Sequence, residues 1–403
     1  MLRRLPILPE DPVEKVYGAL GADPRADKID LGIGVYRDAA GRSPVMRAVR
    51  VAQGRVLERQ QSKAYLPPRG NSDYLARMER LVLGEQHAVL QDRRIFSTQT
   101  PGAGGGLRCA AEFVSRAERS AAVWVPRPTW DHQLLILESA GLTIREYGYY
   151  DAAAHRLDFD ATIEDLLRAD RGDMLLLHGC CHNPTGADLT VDQWSTIADL
   201  VVARGLVPLV DLVYQGLGDG LVADVEGVRL LAAKVPEMLL VSSSSKSFAA
   251  YRDRAGMLSV IAAPGGAGLS NASRHLSKIT RSLYFMPPDL GAATVAEVLG
   301  DPALVADWES ELETMRCRIL RQRMAVRHAL EQRLARDFAH LGTQKGMFSL
   351  LGLSLAAVER LGAEHGVYLM PDSRINFAAV GDHHVERIAG AIAAVIDQAA
   401  MDR

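Results

Sequence analysis

Leu239-Leu240-Val241-Ser242-Ser243-Ser244-Ser245-Lys246-Ser247 runs an apolar strand straight into a hydroxyl-rich turn that carries an amine. A lysine at the mouth of a buried strand calls for a reason, because ammonium groups are seldom placed against a core. A solvated loop lysine is the plain alternative. Working outward, the same arrangement recurs. Val207-Pro208-Leu209-Val210 leads to Asp211 and Tyr214, and Met174-Leu175-Leu176-Leu177 leads to His178-Gly179-Cys180-Cys181-His182-Asn183-Pro184-Thr185-Gly186. Ala122-Val123-Trp124-Val125 leads to Trp130, and Met257 to Ile261 is a fifth run. Helical patterns separate them: Val45 to Arg59, Tyr74 to Leu83, Gly106 to Ala117 and Val191 to Ala203. Continuous apolar strands alternating with helices predict an α/β domain around a mostly parallel sheet. Ligands bind such sheets at the carboxyl ends of the strands. Lys246, Asp211, Asn183 and the Gly-rich turn at 102–106 each follow a predicted strand, so they are expected in one site.

With 403 residues the chain has room for two domains, or one large domain with a lobe. Residues 1–45 read as an irregular arm with Pro6, Pro9, Pro12 and Pro24, contributing to a small domain. Residues 46–300 read as the large α/β domain, and 301–403 as a long connecting helix to about 335 and a smaller α+β domain. Arg316, Arg318, Arg321 and Arg323 fall on that helix, read as a mixed-charge one. A net charge of −3 gives no reason to expect nucleic acid or an anionic membrane as partner. The apolar run after Arg3-Arg4 is too short for a signal segment, and no stretch is long enough to span a membrane. Cys109, Cys180, Cys181 and Cys317 include no C-x-x-C pair, which fits a reducing, cytoplasmic location. His178-Gly179-Cys180-Cys181-His182 lacks zinc-finger spacing, so no metal is expected.

The chemistry-bearing residues complement one another. Lys246 can form a Schiff base with an aldehyde and later move a proton. Asp211, ending an apolar strand, can hold a proton on a pyridine nitrogen; a helix-capping acid is the bland alternative. Asn183 and Tyr214 can hydrogen-bond a phenolate oxygen, and Trp130 can stack on a ring, although each is common in any core. Thr100-Pro101-Gly102-Ala103-Gly104-Gly105-Gly106 opens a helical pattern whose bare amides suit phosphate. Its glycines do not follow the dinucleotide spacing G-x-G-x-x-G. Ser243, Ser245 and Arg254 add hydroxyls and charge. Together these are the groups a pyridoxal phosphate site requires.

The H-G-C-C-H-N-P-T-G run and the S-x-x-K-x(7)-R run of Ser243, Lys246 and Arg254 carry a resemblance. With Leu31-Gly32-Ile33-Gly34-Val35-Tyr36 and Arg374-Ile375-Asn376-Phe377, nearly the whole chain resembles the aspartate/aromatic aminotransferase family of fold-type I pyridoxal phosphate enzymes. The resemblance implies a large domain with a mostly parallel, seven-stranded-type sheet flanked by helices, and a smaller α+β domain formed by both chain ends. It implies that Lys246 is the Schiff-base lysine, that Asp211 pairs with the pyridine nitrogen, and that Asn183 and Tyr214 reach the phenolic oxygen. Trp130 would stack on the ring, and Gly102, Ala103, Gly104, Ser243, Ser245 and Arg254 would surround the phosphate. Tyr65 would come from the neighbouring subunit of a homodimer. Arg374 would bind the substrate α-carboxylate near Gly34, and Arg281 of the other subunit would meet a distal carboxylate.

The chain departs from this pattern in places. Gly104 stands where the family usually has threonine or serine, and Gln133 where it has a histidine behind the aspartate, with His132 one place early. Glu14 replaces an apolar residue, and Leu283, Phe285 and Met286 add apolar bulk. The expected function is pyridoxal phosphate-dependent transfer of an amino group from an aspartate-type or aromatic L-amino acid to a 2-oxo acid such as 2-oxoglutarate, in ping-pong order. Transamination of a basic amino acid such as arginine, suggested by Glu14, is an alternative. So is β-elimination or decarboxylation on the same scaffold.

Overall fold

The computed structural model describes residues 2–6, 11–266 and 268–401. Pro9 of the expected arm lies outside them. The chain forms two compact units: residues 43–318 with 344–346, and residues 1–42 with 319–343 and 347–403.

The larger unit is built on seven strands: β1 (Ile95–Pro101), β2 (Ala122–Arg127), β3 (Thr143–Gly148), β4 (Met174–His178), β5 (Val207–Leu212), β6 (Met238–Ser243) and β7 (Ala255–Ile261). Their order across the sheet is β1-β7-β6-β5-β4-β2-β3. Neighbours are parallel except β7, which is antiparallel to both β1 and β6. This is the mixed, mostly parallel sheet that the resemblance implied. The strands β4 to β6 are almost wholly buried, as their runs of Leu, Val and Met require of a sheet covered on both faces. Helices α1 (Gly102–Ala117), α2 (Asp131–Ser139), α3 (Val191–Arg204) and α4 (Leu269–Leu283) connect or flank them. Local sequence sets their ends. Thr190 and Gln193 form a reciprocal capping box at the start of α3, and Gly205, in left-handed conformation, ends it.

Two strands escape a search for apolar runs. β1 reads Ile-Phe-Ser-Thr-Gln-Thr-Pro, yet Ser97, Thr98, Gln99 and Thr100 are buried. Their polar atoms find partners: Ser97 pairs with Ser259 through their hydroxyls at 2.7 Å, and Gln99 donates to the Pro288 carbonyl at 2.7 Å. β3 is missed because its first four residues are exposed or half-buried. The Gly-rich turn expected at 102–106 is a correction of a different kind. It is already the first turn of α1, which begins directly after β1.

The smaller unit pairs Ile29–Asp30 in parallel with Val367–Tyr368, and Phe348–Leu350 antiparallel with Arg374–Asn376. Helices Leu355–His365 and Val385–Met401 pack together in it. The arm expected to be irregular contains a helix, Pro12–Ala22. The reason is legible: Asp11 accepts the N–H groups of Val13 and Glu14, and Pro12 occupies the first helical position. The long helix runs Pro302–Glu331. Its arginines are not all surface charges, since Arg318 and Arg323 are buried. Arg323 donates to the Ser349 hydroxyl at 2.7 Å and the Phe348 carbonyl, and lies over the Phe377 ring.

Candidate active site

A cavity of about 260 Å³ opens at the carboxyl ends of β4, β5 and β6 in the larger unit. Eleven of the residues singled out from sequence line it, Gln133 among them. The other ten were expected to touch cofactor or substrate. They are Ala103, Gly104, Trp130, Asn183, Asp211, Tyr214, Ser243, Ser245, Lys246 and Arg254. Each lies at the carboxyl end of a strand or in the segment that follows one, which is why residues so far apart in sequence converge.

One end of the cavity gathers a cation, hydroxyls and the start of a helix. Arg254 donates to the Ser245 hydroxyl at 3.3 Å, and the Ser243 hydroxyl donates to that of Ser245 at 3.0 Å. The first turn of α1 presents Ala103 and Gly104 to the same space, with amide groups that no turn of helix precedes. Gly102 does not line the cavity but makes room for its cation. A Cβ there would lie 2.4 Å from an Arg254 nitrogen, and the backbone φ is +67°. A Cβ on Gly256 would in turn lie 2.5 Å from the Gly102 carbonyl carbon.

Another wall carries a buried carboxyl. Asp211 is 5% exposed, and its Oδ1 is buried without a hydrogen-bond partner. Oδ2 accepts from the Gln133 amide at 2.6 Å. Burial pushes the Asp211 carboxyl up to about 6, and the Gln133 hydrogen bond only partly opposes it. Asn183 donates to the Tyr214 hydroxyl at 3.5 Å. Lys246, half-buried, places Nζ 5.0 Å from the ring centre of Tyr251 and 5.8 Å from that of Tyr214. Trp130 and Val213 supply apolar lining for a ring.

Sequence reading missed His178, Cys180, Val213 and Tyr251 as lining residues. His178 was legible in part, since it sits directly across from Asp211 in the β4–β5 register. In the structure the first histidine of this run is engaged with the backbone. The His178 Nδ1 accepts the Asn183 backbone N–H at 3.1 Å, and burial pushes its imidazole down to about 3. Cys180, Cys181 and Asp224 do bring potential ligand atoms within 4.8 Å of one another. However, the Asp224 carboxylate already accepts three backbone N–H groups, from Gly216, Gly218 and Asp219.

The remaining expected residues lie elsewhere. Tyr65 is 80% exposed and meets Phe285 edge-on at 5.4 Å, while Arg281, also exposed, lies 6.0 Å from the same ring. Neither lines the cavity of its own chain. In the smaller unit, Arg374 is buried with its guanidinium 4.4 Å from the Phe348 ring centre and donates to the Gly32 carbonyl at 3.1 Å. Asn376 donates to the carbonyls of Ile33 and Val35, on either side of Gly34. Glu14 is exposed in the first turn of helix Pro12–Ala22, where an acid is favoured by the helix dipole. That position accounts for Glu14 without a cationic substrate.

A buried acceptor without a partner, an anion cradle and an amine around one slot define a pyridoxal phosphate enzyme of fold type I. Comparison with known proteins agrees. The family model "Aminotransferase class I and II" matches residues 26–392, and the chain belongs to that family. It is 43% identical to the aromatic-amino-acid aminotransferase of Pseudomonas aeruginosa, over 96% of this chain and 97% of that one. It is 41% identical to the aspartate aminotransferase of Escherichia coli, over 98% of this chain and all of the other. Among solved structures, the aromatic-amino-acid aminotransferase of Burkholderia pseudomallei, covalently bound to pyridoxal phosphate, superposes with TM-score 0.95 at 37% identity, covering 98% and 99% of the two chains. The protein is a pyridoxal phosphate-dependent transaminase, and no helix among its described residues is long and apolar enough to cross a membrane.

Gly104 offers a direct test of the anion cradle. A Cβ at this position meets nothing within 4 Å, so a serine fits without rearrangement. Gly104→Ser should tighten cofactor binding by roughly threefold to tenfold, as one added hydrogen bond to phosphate would. Equilibrium dialysis against pyridoxal phosphate measures it; unchanged or weaker binding would remove Gly104 from the cradle.

Proposed function

We propose that the chain transfers the amino group of aspartate or an aromatic L-amino acid to a 2-oxo acid such as 2-oxoglutarate, in two half-reactions that share one site. The observation that carries this reading is the position of Lys246 in a slot bounded by the Arg254–Ser245 cradle and the partnerless Oδ1 of Asp211. Pyridoxal phosphate, when bound, supplies the electron sink for the bond to Cα.

The chain's residues then divide the work. Gly102, Ala103, Gly104, Ser243, Ser245 and Arg254 hold or shape the phosphate end. Asp211 keeps a proton on the ring nitrogen through Oδ1, and Trp130 and Val213 confine the ring. Asn183 and Tyr214 hydrogen-bond the ring oxygen. Lys246 anchors the cofactor and, once displaced by substrate, carries the proton to and from Cα. Arg374 receives the substrate α-carboxylate beside Gly34, stiffened by stacking on Phe348. Tyr65 and Arg281 serve the site of a partner subunit in a homodimer, a role that suits their exposure beside Phe285. Arg281 would meet a distal carboxylate, and the apolar Leu283 and Phe285 near it would receive an aromatic ring. None of the four cysteines is in a disulfide, which suits a reducing cytoplasm.

The half-reaction alone tests this. Cofactor-loaded protein is titrated with aspartate, phenylalanine and arginine separately, without oxo acid, while the visible absorption of lysine-bound cofactor is followed. Loss of that absorption with aspartate or phenylalanine, giving the corresponding oxo acid without ammonia or carbon dioxide, is the expected result. Conversion by arginine alone, or release of ammonia, would overturn it. The names of the full-length relatives, aromatic and aspartate, argue for the first outcome.

A further inference from the structure

The polarity of one buried hydrogen-bond chain is fixed from its far end. The backbone N–H of Asn183 can only donate, and it points at His178 Nδ1 at 3.1 Å. Nδ1 is therefore the bare nitrogen, and the ring proton must sit on Nε2. Nε2 lies 3.0 Å from Gln133 Oε1 and 3.3 Å from the Thr129 hydroxyl, so its proton faces both, the nearer being Oε1. The Thr129 hydroxyl donates to the same oxygen at 2.6 Å. With Oε1 thus identified as the carbonyl oxygen, the Gln133 amide nitrogen faces Asp211 Oδ2, 2.6 Å away. Every link from Asn183 to Asp211 runs in one direction. Gln133 is 1% exposed and Thr129 8%, so water does not compete at those two residues.

We propose that Gln133 is a positioning residue whose amide, locked in one orientation by His178 and Thr129, holds Asp211 as an obligate acceptor and presents Oδ1 alone to the cavity. This rests on the reading of Asp211 as the partner of the cofactor ring nitrogen. A protonated carboxyl could not keep its proton on Oδ2 without opposing the amide donor. The ionised form is therefore favoured at that oxygen, and Oδ1 is left to accept from the ring. A neutral glutamine performs this at any pH, because neither end of its amide titrates in the working range. The other titratable or charged groups about this space are His178, held neutral, and Cys180, Tyr214, Tyr251, Lys246 and Arg254 along the cavity wall.

The test uses holoenzyme loaded with cofactor labelled with nitrogen-15 in the ring, read by the chemical shift of that nitrogen and by cofactor dissociation. In the wild-type protein the ring nitrogen stays protonated from about pH 5.5 to about pH 8.5. Gln133→Met removes the donor. Its ring nitrogen should move toward the unprotonated shift, and the cofactor should bind about tenfold to a hundredfold more weakly. Gln133→Glu is the decisive variant. A protonated glutamic acid can donate to Oδ2, whereas the ionised form repels it. The wild-type signal should therefore be restored at the acid end and lost at the alkaline end, reversibly in one sample. Thr129→Val, which leaves His178 as the sole donor to Oε1, should shift the signal in the same direction by less. Wild-type shifts and affinity in all three variants across the pH range would overturn the proposal. A space-filling role predicts that outcome, or losses that do not depend on pH. If the wild-type protein itself fails to hold the labelled cofactor, or holds it with an unprotonated ring, the reading of Asp211 fails instead.

Discussion

Lys246→Ala is expected to abolish the visible absorption of lysine-bound cofactor and to cut turnover by about four orders of magnitude or more. Two losses combine in one substitution. The amine that anchors the cofactor is gone, and so is the group that moves the proton at Cα. The surroundings of Lys246 offer no replacement. Its nearest ring neighbours are Tyr251 and Tyr214, and the other cation at the cavity, Arg254, is engaged with Ser245 and the Tyr251 carbonyl. Lys246→Arg should fail in the same way, because a guanidinium stays charged and cannot attack an aldehyde. Cofactor should still be retained by the phosphate cradle and Asp211, so dialysis separates loss of chemistry from loss of binding. Turnover above about one per cent of wild type, or a surviving absorption band, would exclude Lys246 from this role.

Asp211→Asn should have opposite effects on activity and on the stability of the cofactor-free protein. Burial pushes the Asp211 carboxyl up to about 6 from an ordinary 3.8. Between those two values the native state binds more protons than the unfolded state, so stability falls as pH rises from about 4 to about 6. Above about pH 6 the ionised, buried carboxylate leaves the cofactor-free protein destabilised by about 3 kcal/mol. Asparagine cannot ionise. The variant should therefore gain up to about 3 kcal/mol over wild type at neutral pH and nothing near pH 4. Asp188, pushed up to about 6, and His178, pushed down to about 3, also titrate with folding. Both are present in the two proteins, so the difference between their denaturation profiles isolates Asp211. Turnover should drop by roughly 10²–10⁴-fold, because a neutral amide no longer holds the proton on the ring nitrogen. Equal stability at neutral pH would mean that the Asp211 carboxylate is solvated or paired in a way its buried Oδ1 does not suggest.

Much of this protein is written locally. Apolar runs of four or five residues separated by helix-period segments declared the β4, β5 and β6 strands within a residue or two, because burial on both faces of a sheet favours apolar side chains at successive positions. The residues at or just past the carboxyl ends of those strands, Asn183, Asp211 and Lys246, were legible as one site because the ends of parallel strands share an edge. The helix Pro12–Ala22 was equally legible from Asp11-Pro12 and was passed over because prolines nearby suggested an irregular arm.

What the sequence could not express is pairing at long range. β1 is polar and still buried, because Ser97 meets Ser259 across 162 positions. Arg323 reads as a surface charge on a long helix, yet Ser349, Phe348 and Phe377 enclose it. Gln133 reads as a departure from a histidine that put support of Asp211 in question; 78 positions away in sequence, its amide donates to that carboxylate. Residue type and spacing alone determined the chemistry of the site, since an imine-forming amine, an acid and an anion cradle are properties of side chains. Only the tertiary structure decided protonation and orientation: which oxygen of Asp211 is left to accept, and which nitrogen of His178 holds the proton. Those follow from desolvation and from the one-way donation of a backbone N–H, which exist only once distant segments are packed together.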